Sequence, residues 1–330
     1  MIRPASHRVV LVALVAALLV GACAGGDEEV SGTVRVTGST TLLPMISEVA
    51  GRFAAAHPLV ETDVRMTGTG DGLALFCDGV VPVVGASRGM SPRERETCAQ
   101  SGVQYLQLQV ALDAVVLVTA AEMTAPACLS EEQIYALLGP QSSPVRRWSE
   151  AGSVIAGAGR DLPDAAFTAI GPAAGSGTRA LLIDLAIARI AAERGERADL
   201  RPDAIAEVRE QEIVNGIAGA RTGLGFAGLA TAAQWGERVR WLAVDFGDGC
   251  IAPQEEAVRD GDYPMSRPLY VYVDVARARE DAALRGFVAM LLSPEGLAAA
   301  ANAGGVLLGE DEAQAQRAAW RRALEPGGGA

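Results

Sequence analysis

The sequence predicts an α/β protein organised in two domains, and three observations carry that expectation. Strand-like apolar runs alternate with helical periodicity along most of the chain, the pattern of sheets flanked by helices. At 330 residues the chain exceeds what one hydrophobic core usually organises, so two cores of ordinary size are expected. The long apolar stretch Leu106 to Thr119 reads as an extended strand that passes from one domain to the next.

The N-terminus is set apart from this pattern. Residues 1–8 carry Arg3, His7 and Arg8, and Val9 to Ala22 then run apolar, too short for a membrane span but right for the core of a secretory signal. Residues 1–22 are therefore read as a signal peptide. The run ends in Val20-Gly21-Ala22-Cys23, which resembles the lipobox of bacterial lipoproteins. Lipidation at Cys23 is expected, with 23–30 a flexible leader and the acyl chains holding the protein at a membrane surface without crossing it. Ordinary cleavage near Ala22 is the alternative.

The elements then follow in order. Thr33 to Thr37 is a β-branched strand, and Gly38-Ser39-Thr40-Thr41 opens an amphipathic helix that ends near His57-Pro58. Val60 to Met66 is a second strand, Gly68-Thr69-Gly70-Asp71-Gly72 a turn, Leu73 to Asp78 the start of a helix, and Val81 to Ala86 a third strand. Beyond Leu106 to Thr119, Ser130 and Gln133 form a capping box for a helix reaching Leu138. The same logic recurs in Phe167 to Ile170 as strand, 171–178 as small-residue loop and Arg179 to Arg194 as helix. Gly223 to Gly228 is a Gly-rich strand or turn, and Leu269 to Val273 a strand that carries the chain back to the first domain. Helices over Glu280 to Ala301 and Asp311 to Leu324 close the chain.

Composition excludes several classes. All 28 basic residues are arginine, His occurs only at 7 and 57, and 40 acidic residues set the net charge at −12. Without lysine there is no Walker-type phosphate lysine and no Schiff base. With so little histidine there is no His-rich metal site and no Ser/His/Asp triad. The acidic balance speaks against nucleic acid. In an exported chain Cys77, Cys98, Cys128 and Cys250 are expected as two disulfides, and no CxxC spacing suggests a metal. Of three pairings, Cys77 with Cys98 is chosen because both sit in one short segment, which leaves Cys128 with Cys250.

One chemical idea appears three times. Gly38-Ser39-Thr40-Thr41, Gly68-Thr69-Gly70-Asp71 and Gly175-Ser176-Gly177-Thr178 each place glycines and hydroxyls just before a helix. Such places offer free backbone N–H groups and the positive end of a helix dipole to an anion. Each loop alone is an ordinary N-cap; three together suggest a shared anion site. Arg88, directly after a buried-type strand, is a candidate to grip two oxygens of that anion, the alternative being a salt bridge. Arg267 reads as a structural residue near the return crossover. A Ser176 nucleophile lacks a base.

These motifs resemble a known family. Thr37-Gly38-Ser39-Thr40-Thr41 with Pro44, Gly68-Thr69-Gly70-Asp71-Gly72 with Phe76-Cys77-Asp78-Gly79, Gly85-Ala86-Ser87-Arg88, Gly175-Ser176-Gly177-Thr178 and Tyr263-Pro264-Met265-Ser266-Arg267-Pro268-Leu269 are similar, in this order, to the phosphate-binding proteins of high-affinity phosphate ABC importers. The resemblance implies a type II periplasmic-binding-protein fold, two α/β lobes joined by two crossover strands. It implies lobes at 31–116 plus 270–330 and at 117–269. It also implies contacts to phosphate from Ser39, Thr40, Thr69, Ser176, Gly177 and Thr178. Two departures stand out. The family's Arg before the Ser-Gly-Thr loop is Pro172 here, and its Asp after Gly-Ala-Ser is Arg88, as in a branch carrying Ala-Ser-Arg. Asp71 and Asp113 are candidates for the missing acceptor carboxylate, though Asp71 also fits an Asx turn.

The expected protein is thus a monomeric, lipid-anchored binding protein, not an enzyme and without cofactor or nucleic-acid partner. It takes inorganic phosphate and delivers it to ABC permease subunits outside the cytoplasm. Sulfate, another oxyanion or a phosphate ester as ligand is the nearer alternative, and a surface phosphatase or signalling lipoprotein the farther one. Loss of Arg3 and Arg8 with the signal leaves 26 basic against 40 acidic residues, a net of −14. Capture of an anion by such a chain has to be local, through oriented donors, because the overall field repels it.

Overall fold

The computed structural model describes residues 29–325; the signal peptide, Cys23 and most of the leader lie outside the described residues. Eleven strands are found: β1 Ser31–Gly38, β2 Leu59–Met66, β3 Val83–Ala86, β4 Tyr105–Ala120, β5 Cys128–Ser130, β6 Ala169–Pro172, β7 Ile205–Glu207, β8 Leu224–Gly228, β9 Val239–Trp241, β10 Ala243–Asp245 and β11 Ser266–Asp274. They make one continuous nine-stranded path in the order β2-β1-β3-β11-β4-β8-β6-β7, with β9 also on β4, and a separate β5–β10 pair.

The path has two halves that share β4. From Tyr105 to Ala114 this strand pairs antiparallel with β11, and from Val115 to Val118 it pairs with β8. The hand-over therefore falls between Ala114 and Val115. The chain returns at the same level, where Met265 O accepts from Val115 N at 3.0 Å and Ser266 pairs with Ala114. β11 is already in the first sheet there, ahead of the Leu269 to Val273 stretch. Tyr263 is buried beside this junction and donates its hydroxyl to Val115 O at 2.9 Å.

Helices cover the faces because their apolar stripes match the buried sides of the strands. Helix Leu43–Ala56 buries Met45, Ile46, Val49 and Phe53 and packs against β2 and the helices Ala282–Leu291 and Pro294–Asn302, where Phe53 meets Phe287 edge-on at 5.8 Å. A smaller core of Leu73, Phe76, Val84, Met90 and Tyr272 lies on the other face. The disulfides are Cys77–Cys98 and Cys128–Cys250, the pairing expected. The first joins helix Thr69–Cys77 to helix Pro92–Gln100.

Two expected helices are interrupted. The run over Glu280 to Ala301 is split into Val275–Glu280, Ala282–Leu291 and Pro294–Asn302, because Asp281 and Ser293 turn their side chains back to accept from Leu284 N and Gly296 N. Caps inside an apolar periodicity end helices that pattern alone would continue. The run after residue 177 stays helical but contains a π-turn, Ile183–Ile187, between Gly177–Leu182 and Ala188–Glu193. Among the described residues no single helix is long and apolar enough to cross a membrane.

Candidate functional site

The first loop is built around Gly38, which has φ 119° and would put a Cβ 2.0 Å from Gly85 O, so only glycine fits. Ser39 then donates its N–H to Gly85 O at 2.8 Å. Its buried hydroxyl accepts from Thr41 N at 3.2 Å, which caps the short 3₁₀ turn Thr40–Leu42 leading into helix Leu43–Ala56. Ser39 is therefore held as a cap, and Thr40 and Thr41 face the cleft.

The second loop hangs on the first. Thr67 N and Gly68 N both donate to Gly38 O, at 3.1 and 2.9 Å. Thr69 opens helix Thr69–Cys77, and its hydroxyl accepts from Ser87 N at 3.2 Å and lies 3.1 Å from Ser87 Oγ. Asp71 sits exposed in the first turn of that helix. The third loop leaves β6, turns at Gly175 (φ 88°) and enters helix Gly177–Leu182, with Ser176 as N-cap accepting from Arg179 N at 3.5 Å.

Loops one and three meet across the cleft. A Cβ on Gly177 would lie 2.9 Å from Thr41 Oγ1. Between them is a cavity of about 200 Å³ lined by Thr40, Thr41, Gly177, Thr178, Asp113, Gly228 and Thr231, with Leu42, Met45 and Leu269 among the apolar residues of its wall. Of the residues expected at the site, the structure thus brings Thr40, Gly177 and Thr178 to the cavity. Ser39 and Ser176 stand one step back as caps, Thr69 and Asp71 belong to the neighbouring second loop, and Arg88 lies in the segment after β3 that Ser87 ties to Thr69.

The two arginines are placed differently from each other. Arg88 forms a two-pronged pair with Glu94, Nη1 to Oε2 at 2.7 Å and Nη2 to Oε1 at 2.8 Å. This hydrogen-bonded fork holds the Glu94 carboxyl down at about 2 and raises the Arg88 guanidinium above its ordinary value. Arg267, which sequence reasoning assigned to structure, is the cation at the cleft itself. Its Nη2 reaches Thr41 Oγ1 at 3.4 Å and Asp113 Oδ2 at 3.6 Å, and its Nη1 reaches Asp184 Oδ2 at 3.3 Å.

Asp113 and Arg267 face each other in the β4–β11 register, a neighbourhood that no spacing in the sequence announces. Asp113 is buried, and Asp113 Oδ2 and Arg267 Nε have no hydrogen-bond partner within the protein. Burial pushes the Asp113 carboxyl above its ordinary range, against the opposing pull of Arg267. A buried acceptor and a buried donor left unpaired beside one cavity are costly unless a ligand completes them. Thr231 and Gly228, from the start of helix Leu229–Trp235, were likewise outside the motifs read from the sequence.

The family described as a PBP superfamily domain matches residues 24–295. The chain belongs to the PBP superfamily. Among curated members with detectable similarity, the protein SphX of Synechocystis sp. is 27% identical over 280 residues, 84% of this chain and 79% of that protein. The phosphate-binding protein PstS of Staphylococcus aureus is 24% identical over 293 residues, 87% of this chain and 84% of its own. The crystal structure of a possible phosphate binding protein from Planctomyces limnophilus superposes with a TM-score of 0.79 at 26% identity, covering 90% of this chain and 100% of that one. The superfamily's two-lobe fold is therefore this chain's fold. The shared strand β4 and the return into β11 are the connections between its lobes.

Proposed function

We propose that this protein is an extracytoplasmic solute-binding protein that captures inorganic phosphate between its lobes and delivers it to an ABC import permease. We assign the lobes from the strand hand-over as 31–114 plus 266–325 and 115–265, a few residues from the bounds expected of the sequence, 31–116 plus 270–330 and 117–269. The carrying observation is the convergence of two helix starts from opposite halves on one cavity lined by the buried carboxylate of Asp113, with Arg267 beside it reaching Asp113 and the cavity residue Thr41. The N–H groups of Thr40, Gly177 and Thr178, with the hydroxyls of Thr40, Thr41 and Thr178, supply donors to the oxygens. Arg267 supplies charge, and Asp113 accepts the proton that phosphate carries and sulfate lacks. Thr69 from the second loop and Arg88 from the segment after β3 are assigned to the outer edge of the site. The names of the bacterial relatives support the ligand and a binding role. Lipidation at Cys23 would keep the monomer at the membrane beside its permease.

Calorimetry of the purified mature protein tests the reading, with native mass spectrometry looking for a co-purified anion. Phosphate binding with sulfate failing to compete at equal concentration at neutral pH is the expected result. Equal binding of sulfate overturns the role given to Asp113. A second reading, a phosphate monoester as ligand, is favoured by one observation, the apolar wall of Leu42, Met45 and Leu269 beside the anion loops. An alkyl phosphate binding as tightly as phosphate would favour it.

A further inference from the structure

Arg267 has two carboxylate neighbours with different surroundings. Asp113 is buried beside it on the paired strand, whereas Asp184 comes from the other half of the molecule and its side chain is 62% exposed. Asp184 lies in the π-turn Ile183–Ile187 of the helical run that begins at Gly177. A π-turn departs from α-helical register and often marks a functional position. Here it presents Asp184 to a guanidinium carried by β11, so the Arg267–Asp184 pair spans the cleft. The Thr41–Gly177 approach spans it too, but through a glycine that brings no charge.

We propose that Asp184 is a positioning residue that ties the two lobes through Arg267 and holds the guanidinium in place for the anion. The argument is geometric. Asp184 takes Nη1 from the solvent side, Thr41 and Asp113 lie on Nη2, and Nε stays unpaired and buried. Held on one prong, the guanidinium keeps its remaining donors oriented without waiting for the ligand. Opening the lobes breaks this pair and leaves Asp113 with Arg267 on the first lobe. The tie is thus specific to the closed arrangement. It is half in water, so its strength is modest and salt weakens it.

The test uses the mature protein with spin labels at Val80→Cys and Val208→Cys, exposed positions on the two halves. Ligand-free distance distributions are compared for wild type, Asp184→Asn and Asp184→Glu, at low salt and in 1 M salt. The tie predicts a longer, broader distribution for Asp184→Asn, recovery in Asp184→Glu, and a shift of wild type towards Asp184→Asn in high salt. The contribution to affinity rests on the phosphate reading. There Asp184→Asn should raise the phosphate Kd about three- to fivefold, the span of an exposed ion pair, and should do so through faster dissociation. Unchanged distances in Asp184→Asn, or tighter phosphate binding by it, overturn the proposal. Wild type that ignores phosphate while the distances shift as stated would remove the phosphate reading and leave the tie standing.

Discussion

Arg88 and Arg267 both carry guanidinium groups beside the anion loops, and their surroundings are opposite. Arg88 has a side chain 47% exposed and a complete partner, Glu94, which matches its fork prong for prong. Arg267 is 12% exposed and incompletely paired, with one carboxylate at 3.3 Å, one at 3.6 Å and an Nε without a partner. Both follow or sit on strands of the first sheet, so position along the chain does not separate them. What separates them is whether the protein has already satisfied the charge. A satisfied arginine stabilises a loop, and an unsatisfied one beside a cavity is available to a ligand.

The largest effect should come from removing the available cation. Arg267→Ala is expected to cost about 2–4 kcal/mol of phosphate binding, roughly 30- to 1,000-fold in Kd, because it also strands a buried carboxylate. Arg88→Ala should cost no more than about 1 kcal/mol, since Arg88 is half-exposed and its fork with Glu94 is geometrically complete. Isothermal titration of both variants decides between them, and equal losses would erase the contrast.

Asp113→Asn ranks next and separates charge from fit. Phosphate should weaken about tenfold relative to sulfate, as the acceptor for its proton is lost. The same variant reports on stability. Burial holds the folded Asp113 carboxyl above its ordinary value of 3.8, so the folded state favours the protonated form. That advantage is full below the unfolded value and is lost as pH rises through the raised one. The thermal midpoint of Asp113→Asn should therefore gain on wild type as pH rises from about 4 to about 7. A gain that shrinks would mean the attraction of Arg267 outweighs burial. Thr41→Val should follow with about 1 kcal/mol, the worth of one hydroxyl shared between Arg267 and the cleft.

The parts legible in the sequence are those governed by local rules. Loops 38–41 and 175–178 were readable because a strand, then glycine with Ser or Thr, then a helix is a local grammar of caps, and the structure uses Ser39 and Ser176 as caps. The same rule hid a distinction, since a hydroxyl spent on capping is one step removed from the ligand. Thr41, two residues along from Ser39, lines the cavity. Arg267 was illegible because its meaning arises from pairing with Asp113 across β4 and β11. Read alone, Ser266-Arg267-Pro268 looks like strand punctuation. The breaks at Asp281 and Ser293 were missed because apolar periodicity continued through them.

The smallest expected effect bears most directly on Arg88. Glu94 does two jobs: it forks Arg88, and it accepts from Ser91 N at 2.7 Å in the capping box of helix Pro92–Gln100. Glu94→Gln keeps the cap, since glutamine serves at that position, and removes the negative charge that occupies the guanidinium. If Arg88 only braces its loop, phosphate affinity should stay within about twofold, as surface pairs of this kind contribute little. A tightening of tenfold would show that Glu94 had been competing with the anion and would restore Arg88 as a ligand group. The pH behaviour gives an independent reading. With its folded value lowered to about 2 from an ordinary 4.5, Glu94 contributes stability above the ordinary value that disappears as pH falls through the lowered one. Wild type should lose this increment over that acid range and Glu94→Gln should not, so their melting temperatures converge in acid even where their phosphate affinities agree at neutral pH.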